Sequence, residues 1–199
     1  MDGIIFVWFA WIGWVIAVFF QNESSKRTRF IFVLLFAICL IHITIPVFYV
    51  TVSAIWLLAL ATGYLLLLKY RINTIYAVII LLTLTAAFTA VQLFSIYDPV
   101  FTFLYTKWSV SAILLVIIHL TISGTGERCS FLILSIVHGE LILGMFFKGM
   151  GFDRLIGELA SLDILAISIM STVAWSGFVN VTIYLEKLLK KHQERRGYS

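Results

Sequence analysis

Residues 30–68 read FIFVLLFAICLIHITIPVFYVTVSAIWLLALATGYLLLL, a run of 39 residues that contains no Asp, Glu, Lys or Arg. A helix rises ~1.5 Å per residue, so a hydrocarbon core of ~30 Å needs about 20 residues. The run is therefore long enough for two crossings. Pro46 lies near its middle, where it would break a continuous helix. We expect two helices, residues 30–45 and 47–68, joined by a tight turn at Pro46.

The rest of the chain has the same character. Of its 199 residues, 62% are apolar and 12% are charged, and the mean hydropathy is +1.06. A soluble domain of this size needs more charge than that to cover its surface. The composition therefore excludes a separate soluble domain. The expected partner is the lipid bilayer, and nucleic acid is not expected.

Apolar runs separated by short polar segments predict an all-α fold, a polytopic transmembrane helix bundle in one domain. The predicted spans are residues 3–20, 30–45, 47–68, 73–94, 99–123, 129–147 and 162–184. The fifth is expected to begin at Asp98 and Pro99 or a few residues later, because aspartate is a good N-cap and proline suits the first helical position. Apolar residues at helical spacing over 152–159 predict a short interfacial helix. A basic tail covers residues 185–199.

The basic residues predict the orientation of the bundle, because Lys and Arg concentrate in cytoplasmic loops. With the N-terminus outside, eleven of them lie on the inner side and three on the outer side. The inner residues are Lys26, Arg27, Arg29, Lys69, Arg71, Arg128, Lys187, Lys190, Lys191, Arg195 and Arg196, and the outer ones are Lys107, Lys148 and Arg154. We therefore expect the N-terminus outside and the C-terminus in the cytoplasm.

Glu140 is the most informative polar residue, because it lies within an apolar span where a lone carboxylate costs several kcal/mol. We expect it to be protonated or paired. His42 is expected at a similar depth and His138 two residues away. Two residues correspond to ~200° around a helix, so Glu140 and His138 cannot hold a metal together from one face. Two interpretations remain open: a hydrogen-bonded carboxyl that joins helices, and a site that couples to a proton or cation.

Four further polar residues are secondary candidates. His119 and Asn180 are expected near the inner boundary, where polar groups reach water or carbonyls at little cost. Asp163 is expected to cap its own helix, and Lys107 to extend towards the outer surface. Gly144 leaves its side of the sixth span open to a neighbouring helix.

No enzyme signature is present. The chain lacks a His-Glu-x-x-His motif, a Gly-x-Ser-x-Gly elbow, a phosphate-binding loop and a dinucleotide fingerprint. The two cysteines, Cys39 and Cys129, are expected at different depths, so they predict neither a disulfide nor a metal site. We therefore expect no catalytic residues, metal or cofactor.

The first fourteen residues read MDGIIFVWFAWIGW. Together with the size of the chain and its pattern of spans, they resemble the small YphA-type membrane proteins of spore-forming Gram-positive bacteria. The resemblance implies a bacterial plasma membrane location. It supplies no catalytic residues, because that family is functionally uncharacterised.

Two functions follow as hypotheses. The first is movement or sensing of a proton or small solute through a site around Glu140. The alternative is a non-catalytic membrane scaffold whose basic tail recruits a protein partner or anionic lipid. A water-accessible Glu140 favours the first and a dry, paired Glu140 the second. The last span is expected to continue as a helix past the bilayer surface and to fray near Gly197.

Overall fold

The computed structural model describes residues 2–47, 50–97 and 105–196, and the side chains of 2–47, 50–95 and 105–187. The described residues are mainly helical, as predicted, and one helix overlaps each predicted span. The elements are α1 (Ile4–Phe20), α2 (Ser25–Leu40), β1 (Thr44–Val47), β2 (Val50–Ser53), α3 (Ala54–Leu67), α4 (Thr74–Tyr97), α5 (Lys107–Thr121), α6 (Thr125–Gly149) and α7 (Leu159–Arg196).

Three of these helices contain a stretch that is long and apolar enough to cross a membrane. The stretches are Thr74–Ser95, Thr125–Gly149 and Leu159–Lys187. Helices α1, α3 and α5 are apolar but shorter, with 17, 14 and 15 residues. At ~1.5 Å per residue they cover roughly 21–26 Å, less than a typical hydrocarbon core.

Helix α6 lies at the centre of the core and packs against α3, α4, α5 and α7. Its middle section is buried on nearly all sides, as expected for a helix that is apolar all round. Gly139 shows how tight the packing is, because a Cβ atom there would overlap the ring of Phe88 on α4. Phe88 itself is completely buried. The centre of α6 is therefore a packed interior with neighbouring helices on most sides.

The predicted tight turn between two helices at Pro46 is wrong, because a β-hairpin joins them. Helix α2 ends at Leu40, and the chain then builds an antiparallel hairpin of β1 and β2, in which Pro46 lies opposite Thr51. The residues around Pro46 are largely β-branched, and such side chains favour strands over helices. Residues 48 and 49, which link the two strands, lie outside the described residues.

The predicted interfacial helix over residues 152–159 is also wrong. Ile156 forms a parallel β-bridge with Val52, and its N–H donates to the Thr51 carbonyl at 3.0 Å. The Ile156 carbonyl accepts from the Ser53 N–H at 2.9 Å. The hairpin thus satisfies the backbone groups that a helix would have used. The apolar side chains do not share one face either, because Ile156 is completely buried while Phe152 is exposed.

Several helix ends differ from the predictions. Helix α6 begins at Thr125, four residues before the predicted span. Helix α7 begins at Leu159, three residues early, and continues to Arg196. Its backbone therefore runs well past residue 184, as expected. The proposed start at Asp98 and Pro99 and the fraying near Gly197 lie outside the described residues.

Candidate functional site

Glu140 on α6 is enclosed by protein, with 1% of its side chain exposed. Its Oε1 atom accepts a hydrogen bond from Ser161 Oγ at 2.5 Å and lies 3.2 Å from Arg154 Nη2. Its Oε2 atom accepts from the backbone N–H of Gly157 at 3.1 Å and of Glu158 at 3.4 Å. Both carboxylate oxygens therefore have donors, and Glu140 is paired as expected. The partners are neither His42 nor His138.

These contacts join α6 to the start of α7. Glu158 precedes the first residue of α7, and helix starts leave backbone N–H groups unpaired at the positive end of the helix dipole. Glu140 accepts from the N–H of Glu158, which is such a group, from the N–H of Gly157 just before it, and from the Ser161 hydroxyl in the first turn. Gly157 has a φ of +83°, a conformation that glycine adopts without strain. The backbone here thus has the shape needed to present consecutive N–H groups to one carboxylate.

Arg154 connects the buried Glu140 to the more exposed Glu158. Its Nη2 atom lies 3.1 Å from Glu158 Oε2, and the carbon of its guanidinium group lies 5.3 Å from the centroid of the Phe147 ring. The aromatic contact favours the cation. Burial raises the pKa of the Glu158 carboxyl above its ordinary value, and the Arg154 charge opposes that shift. One guanidinium thus serves two carboxylates.

Asp163 on α7 is also fully buried, but its predicted role is wrong. Its carboxylate caps α1 rather than its own helix. Oδ2 accepts from the Gly3 N–H at 2.9 Å and Oδ1 from the Phe6 N–H at 3.0 Å. Asp163 lies beyond the first turn of α7, which begins at Leu159, so the open N–H groups within reach are those of α1.

The Lys107 ammonium lies between two carboxylates. Its Nζ atom contacts Asp163 Oδ2 at 2.5 Å and Asp2 Oδ1 at 2.8 Å. The Lys107 ammonium holds the pKa of the Asp2 carboxyl below its ordinary value. That stabilisation is present at neutral pH and is lost as the pH falls through the lowered pKa. Lys107 therefore repeats the arrangement of Arg154, with one buried and one exposed carboxylate.

The contacts described for Glu140 include none of the three candidate histidines. The ring nitrogens of His138 are 2.7 Å from the Leu134 carbonyl and 3.0 Å from the Tyr64 hydroxyl. His42 is exposed just after α2. The Nδ1 atom of His119 is 2.8 Å from the Leu115 carbonyl, while its Nε2 is buried without a partner among the described residues. The structure therefore does not gather the predicted intramembrane polar site into one place.

The remaining predicted residues do not form a common site with Glu140 either. Asn180 is exposed on α7. Gly144 does face a close neighbour, but the neighbour is Ile156 of the extended segment rather than a helix. Among the described residues, no three His, Cys, Asp or Glu side chains could hold a metal ion together.

A cleft of about 110 Å³ lies at the end of the bundle opposite to Glu140. It is lined by Ile72, Tyr76, Thr121, Ile122, Ser123 and Glu127. Its lining includes none of the residues that surround Glu140 or Asp163. This cleft therefore does not reach Glu140, whose described contacts are structural.

Sequence reasoning missed Arg154, Gly157 and Ser161 as partners of Glu140. The sequence does contain one signal for an ion pair, because Arg154 and Glu158 are spaced four residues apart. Their segment is also the only predicted outer segment that contains an arginine. Nothing in the sequence gave the contact with Glu140, because that contact depends on the extended path of the segment.

Apolar helices around a packed core and charged groups paired within it define a helical integral membrane protein. This chain belongs to the family of YphA-like integral membrane proteins, which matches residues 2–197. It is 28% identical over 149 residues to the uncharacterized protein YphA of Bacillus subtilis (strain 168), a match that covers 71% of each chain. No solved structure matches the chain. The resemblance found in the sequence is thus confirmed.

Proposed function

We propose that this protein is a non-catalytic scaffold of the bacterial plasma membrane that crosses the bilayer seven times. The N-terminus is outside and the basic C-terminus is in the cytoplasm. The distribution of charge supports this arrangement, because eleven of the fourteen basic residues fall on the proposed inner side. The short helices α1, α2, α3 and α5 would cross a bilayer that is locally thin around the bundle.

The burial and pairing of Glu140 carries the choice of a scaffold. A carboxyl that passes a proton or cation needs contact with water on at least one side during its cycle. Glu140 is 1% exposed and accepts hydrogen bonds from groups that hold α7 in place. Moving a solute through Glu140 would require breaking those contacts. Glu140 is better suited to fix the helices relative to one another.

A flux measurement tests the scaffold directly. Purified protein is reconstituted into vesicles with a trapped pH indicator, and a membrane potential is imposed. We expect wild-type protein and the Glu140→Gln variant to give the same proton leak as protein-free vesicles, because no proton passes through a paired carboxylate. A wild-type leak above the protein-free rate that the Gln substitution removes would contradict the scaffold and support proton movement.

The topology is tested by reporter fusions along the chain. Fusions after Arg29, Arg71, Arg128 and Ser199 are expected to report the cytoplasm. Fusions near Pro46, Asp98 and Gly151 are expected to report the outside, because the basic residues flank the first set. Termini found on the same side of the membrane would rule out seven spans.

A further inference from the structure

Helix α7 continues far beyond the end of its neighbour α6. The two helices run antiparallel, since Glu140 contacts Ser161 at one end and Thr125 Oγ1 lies 2.7 Å from Ser176 Oγ at the other. Thr125 is the first residue of α6. Residues 177–196, which we call the α7 extension, therefore project past the start of α6. At ~1.5 Å per residue this extension is about 30 Å long.

The first part of the extension is apolar and uncovered. Every described side chain from residue 177 to 187 is exposed. Phe178 is 64% exposed and Tyr184 is 62% exposed, and more than half of Val181 and of Leu185 is exposed too. An aromatic and aliphatic surface of this kind is stable against lipid or another protein, but not in water.

A bilayer that fits the rest of the bundle does not cover this surface if α7 stays upright. Arg27, Lys69, Arg71 and Arg128 all lie at the same end of the bundle and mark its boundary with water. Arg128 is one turn from Thr125, which is level with Ser176. The headgroup layer adds roughly 5–7 Å on each side. An upright extension would thus hold Tyr184 and Leu185 in water beyond the headgroups.

The sequence of the extension is that of an interfacial helix. Tyr184, Leu185, Leu188 and Leu189 fall on one side of a helix at 3.6 residues per turn. The opposite side is basic and carries Lys187, Lys190 and Lys191. A helix with this division lies along a membrane surface, with its apolar side among the acyl chains and its cations near the phosphates.

The extension begins at a pair of residues that favours helix bending. Ser176 and Gly177 are adjacent, and Gly/Ser pairs are common sites of sharp helix bends. A Cβ atom at Gly177 would meet nothing within 4 Å, so close packing does not require the glycine. Its contribution is conformational freedom.

We propose that the α7 extension bends at Ser176–Gly177 and docks on the anionic phospholipid headgroups of the leaflet at that end of the bundle. The positive charge of the α7 extension favours anionic headgroups over a second copy of the chain as the surface on which it docks. Lys187, Lys190, Lys191, Arg195 and Arg196 outnumber Glu186 and Glu194, so two extensions side by side would repel each other. Docking deepens the scaffold proposal, because the inner surface then responds to lipid composition.

The test uses the full chain with Cys39 and Cys129 replaced by alanine and His192→Cys carrying a donor fluorophore. The protein is placed in vesicles of phosphatidylcholine with or without phosphatidylglycerol, each with an acceptor on a headgroup. We expect energy transfer to be higher in the anionic vesicles and to fall with added salt. Because each lysine contributes about fivefold, Lys187→Gln/Lys190→Gln/Lys191→Gln is expected to lower the docked-to-free ratio roughly a hundredfold.

Two matched variants sharpen the result. Glu186→Gln/Glu194→Gln removes the two negative charges and is expected to increase transfer. Gly177→Ala stiffens the bend without meeting any neighbour and is expected to decrease transfer at unchanged helix content. Equal, salt-insensitive transfer in both kinds of vesicle would overturn docking on anionic lipid. Disulfide cross-links between copies through the unlabelled His192→Cys thiol would assign the surface to a second copy instead.

The docking proposal and the proposed topology are tested by different experiments, so the failure of one can be told from the failure of the other. Both leaflets of the vesicles have the same composition, so the transfer signal does not depend on which terminus is outside. Of the proposed topology, the docking signal requires only that α7 crosses the bilayer. The reporter fusions read the side of the membrane and do not respond to lipid contact.

Discussion

Replacement of Glu140 by lysine is expected to prevent accumulation of folded protein, while replacement by glutamine leaves most of it folded. Lysine would put a second positive charge beside Arg154 in a site with 1% exposure. It would also leave the N–H groups of Gly157 and Glu158 without their acceptor. Breaking a buried ion pair costs about 3–5 kcal/mol, which is a large share of the roughly 5–15 kcal/mol that stabilises a folded domain. Glutamine keeps an acceptor oxygen and adds no charge.

The measurement is the yield of monodisperse protein after detergent extraction, followed by the midpoint of unfolding in a denaturing detergent. Glu127→Lys is the matched control, because it makes the same chemical change on the same helix. Glu127 is partly exposed and forms no ion pair within the described residues. Glu127 is in the first turn of α6, where a lysine interacts unfavourably with the helix dipole, so we expect that variant to lose only about 1 kcal/mol. If Glu140→Lys unfolds at the wild-type midpoint, Glu140 is not a buried paired carboxylate.

Replacement of Asp163 by alanine is the second large effect. The variant loses the acceptor for the Gly3 and Phe6 N–H groups at the start of α1. It also leaves Lys107 with Asp2 as its remaining carboxylate. Because Asp163 is fully buried, we expect a loss of about 3–5 kcal/mol. The same unfolding midpoint measures this loss.

Asp153 provides the control for Asp163. It also pairs with a lysine, Lys148, but its side chain is 85% exposed. Exposed ion pairs contribute about 0–1 kcal/mol, so Asp153→Ala is expected to be close to wild type. Asp163→Asn should fall between the two, because it keeps one acceptor oxygen for the N–H groups of α1 and loses the charge facing Lys107. Equal destabilisation by Asp163→Ala and Asp153→Ala would mean that α1 does not depend on this cap.

The positions of the helices were predictable because apolar runs and their polar boundaries are local properties of the sequence. The burial of Glu140 was predictable for the same reason, since it lies within an apolar helix. Its partners were not, because they are set by the pairing of Ile156 with a hairpin about one hundred residues earlier in the chain. The spacing of the apolar residues predicted a helix over residues 152–159. The backbone of Ile156 pairs with the hairpin instead.

Asp163 is a second residue whose contacts could not be predicted from its local sequence. An aspartate near the start of a helix suggests a cap for that helix, because the helix dipole is a local property. The observed cap acts on Gly3, 160 positions away in sequence. Lys107 was likewise treated as a single charge near a boundary, although its contacts come from the starts of two other helices. Convergence of helix ends is a tertiary property that one sequence does not reveal.

The coupling between Glu140 and Arg154 is the most direct measurement of whether Glu140 is a structural clamp. Free energies of unfolding are compared for wild type, Glu140→Gln, Arg154→Gln and the double variant. We expect the double variant to be less destabilised than the sum of the single ones, with a coupling of about 1 kcal/mol or more, because the two groups form one buried pair. Effects that add to within about 0.3 kcal/mol would contradict the clamp and leave Glu140 free for another role.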